Sequence, residues 1–537
     1  MATFRSSLLA LLVACAAPKP GPVPPLPRAA YAHYFEGKLA AYARDWPAAT
    51  VALKAALAAA PDQPMIAVEL AHAQVKAGDL PGAAATLAAA RQTWPAHPQV
   101  WLASGDALST TATEQAAAAY RRAMELQPDD ERGYLGLAKM ELARKRPDVA
   151  EEVLRVLVKH VPGSVDGHYL LAQRLATRDL TAAIGELRAT IERNPDHIDA
   201  RLDLARALRR TGKLPEAIAQ IRSAFDRAAQ PLDIAEELFY LLCEADDRTA
   251  AIDLLTLLDD DRSEVDALAA VARLERGLGR LDEARQVAER IAATDADAGA
   301  IALARTELAA HAHDKARAAL AKIEPTSEHH GEAQKVAIQI ELDAGAPAAA
   351  LVLVGALPPK DPELALLAAF ALADQGKPAE ARALVPAQDF ARARLEDRLG
   401  DTAAAIALCD RIIAAHPESG SALNLAGYLL ADAGKRLDDA TRYLTTARAL
   451  APGDPAVLDS WGWLLLKRGQ AREAVKILDK AARYAPREPE ILLHLATAWA
   501  ADKAPRTAAE LLARADGLAP PPAVKRRIDA LRVTLPP

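Results

Sequence analysis

Aromatic side chains are scarce: Phe, Trp and Tyr together make up 4% of the 537 residues. Asparagine is scarcer, at Asn194 and Asn424 only, and cysteine occurs three times, at Cys15, Cys243 and Cys409. Runs of β-branched residues long enough for a buried strand are missing, which excludes a sheet-based core. Beyond the first fifteen residues no segment approaches the ~20 apolar residues of a membrane-spanning helix. A strong charge of either sign is missing too. Net −7 over this length, with acids and bases mixed, argues against a general nucleic-acid role.

What is abundant is alanine and leucine, the composition of many short helices. The length far exceeds one ordinary core, so the chain is either several domains or an extended repeat array. Cys243 and Cys409 lie 166 residues apart in apolar helical stretches, which favours core packing over a bridge.

The N-terminal stretch reads as a processing signal rather than as fold. Arg5 supplies a positive region and Leu8 to Val13 a short apolar one, followed by Leu12-Val13-Ala14-Cys15. That last run resembles the bacterial lipobox, whose cysteine is diacylated and becomes the new N-terminus. Two acyl chains are about what stable anchoring requires. Pro18, Pro20, Pro22, Pro24, Pro25 and Pro27 follow, and such a run reads as a semi-rigid tether instead of a continuing helix. The resemblance places residues 1–14 as a lipoprotein signal and 15–29 as a Pro-rich tether. Ala16 stands where an inner-membrane retention signal carries aspartate, which points to the outer membrane.

Helix-ending prolines fall at Pro61, Pro95, Pro128, Pro162 and Pro195, separated by 34, 33, 34 and 33 residues. The beat returns at Pro417, Pro452, Pro486 and Pro520, separated by 35, 34 and 34. The clearest unit is PAVLDSWGWLLLKRGQAREAVKILDKAARYAP, from Pro455 to Pro486. Leu458, Trp461, Gly462 and Leu465 form one helical stripe; Ala474, Leu478 and Ala481 form a second. Gly462 and Ala474 are small because two helices cross there. The preceding unit repeats the pattern, with Lys435 as a one-residue insertion in its turn, and Leu70, Ala83, Leu87, Leu137, Ala150 and Leu154 carry it nearer the N-terminus.

This period and pattern resemble the tetratricopeptide repeat across residues 30–520. The resemblance implies an all-α solenoid of about fifteen stacked helical hairpins, forming a superhelix with a concave groove that binds peptides or helices of other proteins. The expected organisation is a regular array over 30–230 and a degenerate one over 231–386, where closing prolines are lost. A second regular array follows over 387–520, then a capping helix and tail over 521–537.

By the same resemblance, first-helix residues line the groove, which places Lys139, Arg206, Arg209, Arg210, Arg273 and Arg276 along it. A basic stripe there suits an acidic peptide or an acidic carbohydrate; the bland alternative is a solvated helix face. Tyr428 and Trp463 share one groove-facing position in adjacent units, as a binding hot spot or as packing against the next repeat. Tyr31, Tyr34 and Tyr42 cluster in the first unit, and Trp461 and Trp499 fall on core positions. His311 and His313 are separated from His329 and His330 by a helix expected over about residues 314–324, roughly 16 Å long. One ion cannot join both pairs, so these read as surface histidines with no metal.

Phosphate loops, HExxH, GxSxG and CxxC patterns are missing from the sequence, which is read as non-catalytic and without a cofactor. The expected function is a lipid-anchored scaffold on the bacterial outer membrane, facing the periplasm. It would bind partner proteins during assembly of a secretion, pilus, polysaccharide-export or cell-wall machine. The alternatives are a soluble cytoplasmic adaptor or regulator and an acidic-carbohydrate-binding solenoid.

Overall fold

A computed structural model describes residues 26–228, 232–261, 264–355, 359–451 and 453–535. Cys15, the signal over 1–14 and the tether up to residue 25 lie outside the described residues, as do Pro231 and Pro452.

Every regular element among the described residues is a helix, thirty-one in all, from α1 (Arg28–Tyr42) to α31 (Pro522–Thr534). The first thirty alternate in chain order as first and second helices of fifteen successive pairs, fourteen of them packed as hairpins within a unit, and α31 packs on the last. The prolines of the sequence beat mark the second helix of a hairpin. Pro61, Pro95, Pro128, Pro162, Pro195, Pro417 and Pro486 each fall two residues beyond its end.

One alanine recurs in the second helix of all fifteen pairs, from Ala49 through Ala251, Ala316 and Ala350 to Ala508, and each is fully buried. The first helix crosses over it. Where the crossing partner is glycine the approach is closest: a Cβ on Gly462 would lie 2.5 Å from Leu478 Cγ, and one on Gly427 2.4 Å from Leu444 Cγ. Any side chain there would push the helices apart.

Turns within hairpins are short and built alike. Aspartates such as Asp45, Asp79, Asp179 and Asp401 cap the second helix, their carboxylates accepting backbone N–H bonds of 2.9–3.1 Å. A residue of positive φ precedes the cap, for example Gly469 at φ 78°. The turn between α25 (Gly420–Asp432) and α26 (Leu437–Leu450) carries two such residues, Gly434 and Arg436, flanking Lys435. That is the expected insertion.

The chain divides into two compact units, Met1–Ala207 and Leu208–Pro537, the boundary falling within α11 (Ile198–Arg210). In both units the first helices of successive hairpins touch one another, whereas second helices meet mainly their own partner and the next first helix. Each hairpin is therefore a wedge, and first helices line the concave side.

The second unit closes on itself. Arg209 Nη1 donates to the Ala449 carbonyl at 2.9 Å, and its other terminal nitrogen to that of Arg448. Arg248 donates to the Arg483 carbonyl, Lys480 to that of Glu244, and Arg483 pairs with Asp246 at 2.9 Å. Gly453, at φ 70°, leaves the room in which Tyr240 and Glu244 approach: a Cβ there would lie 2.2 Å from the Tyr240 carbonyl oxygen. The carbonyl contacts span 235 to 240 residues, about seven 34-residue periods.

Cys243 and Cys409 are buried free thiols, each pushed up to about 12 by burial, and are inert packing groups as expected.

Candidate partner-binding surface

On the concave side of the second unit one register position repeats from hairpin to hairpin. It lies four residues before the last residue of each first helix. It is Tyr240 in α13 (Leu232–Glu244), Arg273 in α15 (Val265–Gly277) and Arg305 in α17 (Ala296–Ala309). Further on it is Tyr428 in α25 and Trp463 in α27 (Pro455–Lys467).

The arginine stretch is electrostatically crowded. Arg273 donates to Glu236 at 2.5 Å, and Arg305 to Glu332 in α19 (His330–Asp343). Arg276 is half-buried, and its pKa is pushed down to about 10 by burial and then by the guanidiniums of Arg305 and Arg273. At neutral pH it still carries its charge, and an anion placed beside it would relieve both effects.

The far end is acidic and aromatic. His494 in α29 (Pro489–Ala501) is fully buried, with Nδ1 2.9 Å from both carboxylate oxygens of Asp459. Arg527 of α31 lies 3.0 Å from its Nε2, so Nδ1 carries the proton and Nε2 accepts. Trp463 stacks on that imidazole at 4.1 Å and donates its indole N–H to Asp432 at 3.0 Å. Tyr428 donates to Glu490 at 2.8 Å, and Arg527 to the same oxygen at 2.9 Å. Asp397, in α23 (Phe390–Arg398), is held above its ordinary range by burial and then by the charges of Glu490 and Asp432.

Comparison with known proteins bears on the repeat that builds this surface. A tetratricopeptide-repeat family model matches residues 34–98, 68–110, 173–231, 390–455 and 460–521, and a second such model matches 107–173. The chain belongs to the tetratricopeptide-repeat family. It is 34% identical over 106 residues to the TPR repeat-containing protein PA4667 of Pseudomonas aeruginosa, a match spanning 20% of this chain and 18% of that one. Among solved structures, Pseudomonas aeruginosa pilF is similar at 17% identity and TM-score 0.32, covering 39% of this chain and 96% of that one. The Cut9–Hcn1 hetero-tetramer of the APC/C is similar at 12% identity and TM-score 0.33, covering 94% of this chain and 96% of that one.

In this tetratricopeptide-repeat protein the residues singled out from sequence meet different fates. Lys139 pairs loosely with Asp166 at 3.8 Å, and Arg206 with Asp203 at 3.4 Å. Arg210 is exposed. Arg209 is not presented to a partner, because Glu244 at 2.7 Å and the two carbonyls of the closure engage it. Trp463 takes the packing alternative: it is 6% exposed, lies against the next repeat, and has the Arg527 guanidinium 5.5 Å from its ring centre. Trp461, read as core, is only half-buried and carries Arg448 over its ring at 4.7 Å. Tyr31 and Tyr42 are 61% and 93% exposed and share one face of α1 with Phe35 and Leu39.

Arg305 was missed by sequence reasoning. The signal existed: it precedes buried Glu307 by two residues, as Arg273 precedes buried Glu275. His494 and Arg527 carry no repeat signature, and only the packing of α31 brings them to Trp463.

Proposed function

We propose that this tetratricopeptide-repeat protein is a scaffold that takes an acidic segment of a partner protein on the first-helix face around Arg273, Arg276 and Arg305. The observation that carries the reading is Arg276, whose neighbouring charges are two further guanidiniums and whose pKa is depressed to about 10. A carboxylate-rich peptide would supply the missing opposite charge, and hydrogen bonds to such groups are the stronger kind. The scaffold is tethered through a lipid on Cys15 to the bacterial outer membrane, facing the periplasm, where it serves assembly of an envelope machine. The Leu12 to Cys15 run and the prolines after it support that placement.

Two measurements test this. Arg276→Glu with Arg305→Glu should remove partners crosslinked to the wild type in membranes, with wild-type binding falling steeply as salt rises. Unchanged capture would end the acidic-segment reading, and capture of an acidic polysaccharide instead of protein would favour the carbohydrate alternative. Separately, Cys15→Ser should release the chain into the soluble fraction; retention in the membrane, or cytoplasmic partners for both forms, would overturn the anchor.

A further inference from the structure

The turn between α17 and α18 (His313–Leu320) carries two histidines whose imidazoles converge on one carboxylate. His311 Nδ1 lies 3.0 Å from Asp343 Oδ2, and His313 Nε2 lies 2.7 Å from the same oxygen. One ligand atom from each of the three side chains lies within 4.8 Å of the others. All three are partly accessible, with side chains 23%, 26% and 34% exposed, so an ion can reach them from solvent. The other pair is separate, as expected: His329 binds Asp295 at 2.8 Å. The distance between the two pairs says nothing about Asp343, which comes from the end of the next first helix and has no place in either histidine pair.

Two features favour a cation here over a plain hydrogen-bonded triad. Asp343 is the last residue of α19, where its carboxylate adds to the negative end of the helix dipole and a positive charge is favoured. The histidines are held by the backbone of a tight turn: His311 N donates to Leu308 O at 2.8 Å and Ala312 N to Glu307 O at 2.9 Å.

We propose that His311, His313 and Asp343 form a binding site for a divalent transition ion of the zinc class, with solvent completing the shell. Two imidazoles and one carboxylate select zinc, cobalt, nickel or copper over magnesium or calcium. Ligands ~2.0–2.2 Å from a tetrahedral ion lie about 3.3 Å apart, so the two imidazoles draw back from Asp343 by roughly 0.3 and 0.6 Å to admit it. The ion takes the nitrogens through which the imidazoles now reach Asp343, and each neutral ring then carries its one proton on the other nitrogen.

The test is a cobalt(II) titration of the full-length chain, purified in detergent without a histidine tag and followed by visible absorption, then by zinc competition. One cobalt per chain is expected, with the intense bands of a tetrahedral site, bleached by zinc. His313→Gln and Asp343→Asn should each weaken binding at least tenfold, and His330→Gln should leave it unchanged. Circular dichroism establishes that the variants keep their helix content; should Asp343→Asn unfold, His311→Gln and His313→Gln carry the test. Bands missing in the wild type, or equal binding by His313→Gln, would overturn the site.

Discussion

The hairpins α27–α28 (second helix Ala471–Tyr484) and α21–α22 (Pro362–Asp374 and Pro378–Leu384) start alike and end differently. Both first helices have 13 residues, but the second helices have 14 and 7. In the long one Ala474, Leu478 and Ala481 are all fully buried, at steps of four and three. The short one keeps Ala381 and, just past its end, Val385, and has no third rung. The eight-residue α18 and α20 (Pro347–Val354) do the same with Ala316 and Ala350. Charge pairing to the next hairpin survives the shortening, as it does at full length where Arg285 of the 14-residue helix Leu281–Thr294 holds Glu307 at 2.6 Å. Arg382 grips buried Glu396 through bonds of 3.0 and 2.6 Å, joined by Arg392 at 2.6 Å, and Arg317 holds Glu341 at 2.7 and 3.1 Å. The crossing alanine is thus the indispensable element of a hairpin here; the outer end of the second helix is negotiable.

That contrast can be broken at either end. Because repeat arrays open locally, hydrogen exchange hairpin by hairpin is the proper readout. The largest effect is expected from Leu478→Ala, which opens a cavity in a fully buried rung and should lower local stability by about 4 kcal/mol. Full protection of α28 in that variant would contradict the rung picture. Glu396→Ala should follow at about 3 kcal/mol, because it strands two guanidiniums around a buried site.

Acid should act on the same pair. Arg382 and then Arg392 hold Glu396 below its ordinary 4.5, so its contribution is present above that value and lost as pH falls through the folded pKa. Exchange in α22 and α23 should accelerate there before exchange in α28, and the opposite order would remove the distinction.

Gly453→Ala, adding a Cβ against the Tyr240 carbonyl at positive φ, should loosen the closure of the second unit by about 1–2 kcal/mol. Faster exchange confined to α13 and α26 would show it. The smallest effect belongs to Asp397→Asn. Burial and then Glu490 and Asp432 raise this carboxyl, so its contribution is complete below its ordinary 3.8 and lost as pH rises through the folded pKa. The uncharged variant should therefore melt slightly higher than wild type at neutral pH and equally in acid. A lower melting point at neutral pH would assign Asp397 a stabilising partner.

Much of this was legible because the repeat writes its geometry locally. The proline beat, the crossing alanine, the Lys435 insertion and the final helix all follow from spacings within one or two hairpins. What escaped depends on residues far apart in the chain. Arg209 meets the Ala449 carbonyl 240 residues away, and Trp463 is covered by His494 and Arg527 from later helices. Asp343 reaches His311 across 32 residues. The helix expected to run to about residue 324 stops at Leu320, because α18 lacks the third rung that would hold a longer end.

The closure has a consequence for how this sequence can evolve. An open stack gains or loses a hairpin at the expense of one neighbour interface. Between Arg209 and Ala449 a duplication or deletion of one unit would slide every donor past its carbonyl. Gly453 would meet the wrong turn. That stretch has a fixed count, and homologous copies should differ in number outside it before they differ within it.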